Sequence, residues 1–148
     1  MSATADTTAQ HRETAETVAS LLWSGRFDEV DQYLTNDYVG HDPMVPGGTH
    51  DAAEMAEYFE PMRKAFSDIE YDIHDIVAEG DVVFHRGELT VTHSGEFMGM
   101  PATNERFSVE DHIEWRFEDG KIAETWAQYD VVAMMRGIGM DVPGSAPA

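Results

Sequence analysis

Cysteine is absent, which excludes disulfide bonds and thiol nucleophiles. Lysine occurs only at Lys64 and Lys121; all basic residues together number 9, against 29 acidic ones, for a formal charge of −20. The acidic residues run along the whole chain and do not gather in a tail. Such a surface repels phosphate, which excludes nucleic acid and anionic membranes as partners. No apolar run approaches the roughly 20 residues that a membrane helix needs. Residues 1–10 are polar and lack a basic-then-apolar signal pattern, so the expected location is the cytoplasm. There is no Gly-rich phosphate loop and no nucleophile elbow. The 7 histidines show neither His-Glu-x-x-His nor another tight ligand spacing, so no metal is expected.

What is present suits one folded domain. The chain has 148 residues, 42% of them hydrophobic, enough for one core and too few for two. The expectation is a single domain over 1–148 with loose ends at 1–8 and 140–148. Ala15, Val18 and Leu22 share a face of a helix over 9–24, which Gly25 stops. Phe27, Val30 and Leu34 make a short second helix. Residues 35–48 read as a Gly/Pro/Asn loop. Thr49 can cap a third helix carrying Met55, Phe59, Met62 and Phe66, with a kink or a break at Pro61. From Ile69 the texture turns to strands at 69–78 and 81–93.

The stretch from Gly95 to Asp130 is the most informative. Phe107, Val109, Ile113, Trp115 and Phe117 alternate with Ser108, Glu110, His112, Glu114 and Arg116. Asp119-Gly120 is a strong hairpin signal, and a second strand follows over 122–130. Its Asp130 precedes an apolar helical run to Ile138, so it is either a helix cap or an acid of the site. Ile113, Trp115 and Phe117 point away from the Asp130 side, and a bare apolar face there predicts a sheet-to-sheet homodimer. Helices followed by antiparallel strands indicate an α+β fold: about four strands curved into a cone, about three helices packed on one face, and a pocket inside.

The residues Thr92 to Thr103 (THSGEFMGMPAT), Phe117 to Ile122 (FEDGKI), Trp126 to Asp130 (WAQYD) and Met135 to Gly139 (MRGIG), with Leu22-Trp23-Ser24-Gly25, carry a resemblance. The chain resembles the SnoaL-like polyketide cyclases of the nuclear transport factor 2-like superfamily over residues 9–139. The acidic surface is similar to that of proteins from salt-loving organisms, so a haloarchaeal member is expected. The resemblance implies cofactor-free acid/base chemistry, an intramolecular aldol closure of a lyase or isomerase kind, on a small hydrophobic enolisable carbonyl compound. The alternative is a non-catalytic small-molecule binding protein of the same fold. The resemblance implies Asp130 as general acid and base, with Arg116 standing where the cyclases have a His. It implies His41, Trp23 and Phe59 as pocket residues. His112 shares parity with Arg116, and Trp126 is an apolar neighbour of the acid, which places both in the same pocket.

Overall fold

The structure, a computed structural model, is described over residues 3–142. Helix α1 (Ala3–Trp23) leads into a short α2 (Phe27–Val30) and a 3₁₀ turn (Asp31–Tyr33). Strands β1 (Leu34–His41) and β2 (Thr49–His50) precede α3 (Ala52–Ala65). Four long strands follow: β3 (Phe66–Glu79), β4 (Val82–His93), β5 (Arg106–Glu118) and β6 (Lys121–Tyr129). The chain then enters α4 (Val131–Gly137). The sheet has 6 strands in the order β2-β1-β6-β5-β4-β3. Its pairings are antiparallel except β1 with β6, which is parallel. The α+β architecture expected from the sequence is therefore the one observed.

Several boundaries differ for local reasons. Helix α1 begins at Ala3, six positions before the expected start and inside the stretch taken as loose. Thr49 does not cap α3; it pairs with His41 in β2. Asp51 is the cap. Its carboxylate accepts the Glu54 N–H at 2.8 Å and the Glu54 carboxylate accepts the Asp51 N–H at 3.1 Å, a reciprocal capping box. The helix runs on through Pro61, which lies inside it, so the chain does not break there. Strand β1 replaces the expected loop. Asn36, Asp37 and Gly40 are poor strand formers, and the strand exists because β6 on one side and β2 on the other pair with it.

The β5–β6 hairpin turns at Asp119 and Gly120, both left-handed, as an Asp-Gly turn requires. Phe117 pairs with Ile122 and Arg116 with Glu124, so Ala123 is an extra residue in β6. This bulge lets both Ile122 and Ala123 be buried. Beyond it, Thr125, Ala127 and Tyr129 lie opposite Trp115, Ile113 and Asp111. These side chains face the helices. Trp115 and Phe117 pack with Ala15, Val18 and Ala19 of α1 in one buried cluster. The expected bare face at Ile113, Trp115 and Phe117 is thus corrected: the helices cover it. The face turned away from the helices carries Arg116, Glu124 and Trp126.

The capping box gives a direct check. Asp51→Ala should cost about 1 kcal/mol and lower Tm by about 3 °C, measured by thermal denaturation.

Candidate active site

The space between helices and sheet holds a cavity of about 100 Å³. Trp23 of α1 and Phe59 of α3 form one wall, edge to face with ring centroids 5.6 Å apart. Ile113 and Ala127 form part of the opposite wall. Most of the lining is apolar. Two carboxyl groups interrupt it, Asp111 on β5 and Asp42 just after β1.

Asp111 sits on the inward face of β5 between Val109 and Ile113, with its side chain 13% exposed. The Tyr71 hydroxyl of β3 lies 2.7 Å from Asp111 Oδ1, 2.9 Å from Oδ2 and 2.6 Å from His85 Nε2. On the far side of the imidazole, Trp115 Nε1 donates to His85 Nδ1 at 2.9 Å. Indole can only donate, so it fixes the tautomer. Nδ1 is the acceptor, and neutral His85 carries its proton on Nε2. That proton goes to the Tyr71 oxygen, and the Tyr71 proton goes to Asp111. Trp115, His85, Tyr71 and Asp111 form one chain of donors ending on a carboxylate.

The electrostatics follow from burial. Desolvation pushes the Asp111 carboxyl up to about 6, against the opposing bonds from Tyr71 and the Gly87 N–H. Desolvation likewise takes His85 down to about 4, so it is neutral at pH 7. Tyr71 is raised, first by burial and then by the charge of Asp111, and stays protonated. The two shifts act oppositely on stability. Asp111 holds its proton more tightly when folded, so its contribution is lost as pH rises from 3.8 to about 6. His85 releases its proton on folding, so its contribution is lost as pH falls from 6.5 to about 4.

Gly87 pairs with Asp111 across β4 and β5. A Cβ there would lie 2.4 Å from the Tyr71 hydroxyl and 2.9 Å from Asp111 Oδ1. The missing side chain is what lets tyrosine and carboxylate meet.

The residues expected from the sequence divide in two. Trp23 and Phe59 line the cavity, and Trp23 also packs 5.9 Å from the Tyr71 ring. His41 borders the cavity, but its ring stacks on Trp126 at 5.2 Å and its Nε2 meets Glu124 at 2.6 Å. Arg116, His112 and Trp126 are corrected to the outward face of the sheet. Arg116 pairs there with Glu118 at 2.8 Å and Glu124 at 3.1 Å, not with Asp130 or Glu114. His112 meets Glu110 at 3.2 Å and packs edge-on to Phe84. Asp130 is exposed, and its Oδ1 accepts the Ala133 N–H at 2.9 Å as the cap of α4. Of its two readings, the structure shows the cap. Among the described residues no cluster of His, Asp or Glu could hold a metal ion.

The residues missed were Asp111, Tyr71 and Asp42. Asp111 had a signal. It is the one charged position on the alternating face of Val109, Ile113 and Trp115. A carboxylate on a core face is either paired or functional.

Known proteins resemble the chain in sequence and in fold. Nogalonic acid methyl ester cyclase of Streptomyces nogalater is 29% identical over 124 residues, covering 82% of this chain and 92% of that protein. Aklanonic acid methyl ester cyclase DauD of Streptomyces sp. (strain C5) is 30% identical over 115 residues, covering 72% and 68%. A solved structure from Jannaschia sp. CCS1 shares the fold with a TM-score of 0.80 at 20% identity, over 96% of this chain and 98% of that one. The SnoaL-like polyketide cyclase profile matches residues 12–138, and the chain belongs to that family.

Proposed function

We propose that the protein is a cyclase that closes a ring by an intramolecular aldol reaction, with Asp111 as its acid and base. The observation that carries this reading is a carboxylate inside an apolar cavity, held near pH 6 by burial and aimed by a one-way chain of donors. Ionised Asp111 takes a proton from a carbon beside a carbonyl. The C–H electron pair becomes an enolate, and the enolate carbon bonds to a second carbonyl carbon of the same molecule. The new alkoxide takes the proton back from Asp111. Atoms and charge balance without an added reactant. Tyr71, held by His85, keeps the carboxylate fixed throughout.

The reading extends to the molecule's setting. The outward sheet face presents Val77, Val82 and Phe84, exposed by 63%, 37% and 38%, beside Trp126. This is the face for a homodimer, in a cytoplasm whose salt screens the charge of −20.

Nogalonic and aklanonic acid methyl esters, which the relatives' names supply, are the first substrates to try. Asp111→Asn should lower turnover at least about 100-fold. Asp130→Asn should retain turnover and lose up to about 1 kcal/mol of stability. The opposite pattern would return the chemistry to Asp130. Deuterium exchange at the α-carbon, followed by NMR, isolates the first step; binding without exchange would mark a non-catalytic binder. The rate should rise with pH through about 6 as Asp111 ionises. In Tyr71→Phe the Asp111 carboxyl should titrate higher still, because the lost hydrogen bond favours the charged form. A carbon-13 NMR titration measures this. Light scattering in molar salt should show a dimer, and Phe84→Glu should give a monomer.

A further inference from the structure

The second carboxyl group of the cavity has no part in the proton transfer. Asp42 is 7% exposed and stands in a tight turn, where its N–H bonds the Gly48 carbonyl at 3.0 Å. Three donors converge on it, and all three choose the same oxygen. Oδ1 accepts the Met44 N–H at 2.9 Å and the Tyr129 hydroxyl at 2.8 Å, with the Tyr58 hydroxyl at 3.3 Å. Tyr58 and Tyr129 also lie 3.0 Å apart, oxygen to oxygen. Among the described residues nothing donates to Oδ2. A desolvated carboxylate oxygen with no donor is costly unless something supplies one.

We propose that Asp42 Oδ2 is a recognition subsite that accepts a hydrogen bond from a hydroxyl group of the bound compound, phenolic or enolic. Its place in the fold supports this. Tyr129 is the ladder partner of Asp111 on the inward face, and its hydroxyl donates to Asp42, so one residue stands beside both carboxyl-bearing positions. A ligand whose reacting carbon lies at Asp111 then carries its hydroxyl toward Asp42. The orientation at Asp111 rests on the proposed cyclase reading; the acceptor subsite itself does not.

A matched pair of probes tests it, 2-naphthol and 2-methoxynaphthalene, which differ in the hydroxyl proton and a methyl group. Calorimetry should find 2-naphthol bound at least about tenfold tighter by the wild-type protein. Asp42→Asn is the decisive variant. The three donors on Oδ1 force the amide oxygen to stay there, which puts the NH₂ group in the place of Oδ2. The site then donates where it had accepted, and the preference for the hydroxyl should collapse to within about threefold. Asp111→Asn should keep the preference. Equal affinities in the wild-type protein, no binding of 2-naphthol, or a preference that survives Asp42→Asn would each overturn the subsite. Loss of the preference in Asp111→Asn would also overturn it, by placing the hydroxyl at the other carboxylate. Should Asp42→Asn not fold, NOE contacts from bound 2-naphthol to the ring protons of Tyr129 are expected in the wild-type protein, and their absence overturns the proposal. Turnover of Asp111→Asn bears on the cyclase reading alone, so the two can fail separately.

Discussion

A carboxylate buried in an apolar cavity is the constraint around which this structure is arranged. Removing Asp111 from water disfavours its charge, and the fold answers with donors from three strands. None of them can be exchanged freely. Indole donates and cannot accept, so Trp115 fixes the tautomer of His85. His85 then fixes the hydroxyl of Tyr71. Gly87 is required because any side chain would occupy the space in which tyrosine and carboxylate touch. The chain is polar and fully oriented, and it stands in a core that is otherwise apolar. Such networks specify one arrangement when every member is satisfied.

The same sheet keeps a second, unrelated set of charges on its other face. His41, Glu124, Arg116 and Glu118 are linked side by side there, with Trp126 stacked beneath the imidazole. Glu124 is held below the usual carboxylate range, first by the bond from His41 and then by Arg116. Solvent screens these exposed pairs, so they contribute little individually. Strand alternation separates the two sets. The bulge at Ala123 sets which residues of β6 join which face, since one extra residue reverses the alternation. The outward face holds ordinary ion pairs, and the inward face holds the poised acid.

Asp111 and Asp42 also show how burial and hydrogen bonding divide labour. Both are carboxylates with tyrosine donors. Asp111 shares one hydroxyl between its two oxygens. Asp42 receives three donors on a single oxygen, a backbone N–H among them. The first arrangement suits a group that must gain and lose a proton. The second suits a fixed acceptor.

The order of helices and long strands, the Asp-Gly hairpin and the lack of disulfides were all legible in the sequence, because each depends on local chemistry or on composition. The family was legible as well, from the motifs between Thr92 and Gly139. The inside of the cone was not. Reading Arg116, His112 and Trp126 inward followed from fixing on Asp130, while the apolar partners of Asp111 already marked the buried face. Tyr71, His85 and Asp111 lie on three different strands, and Asp42 and Tyr58 on a turn and a helix far from Tyr129. No spacing along the chain announces such meetings. Local sequence determined which segments become strands and helices, since backbone preference and side-chain alternation act over a few residues. Only the tertiary structure decided which carboxylates lose their water, because desolvation depends on what the whole chain packs around them.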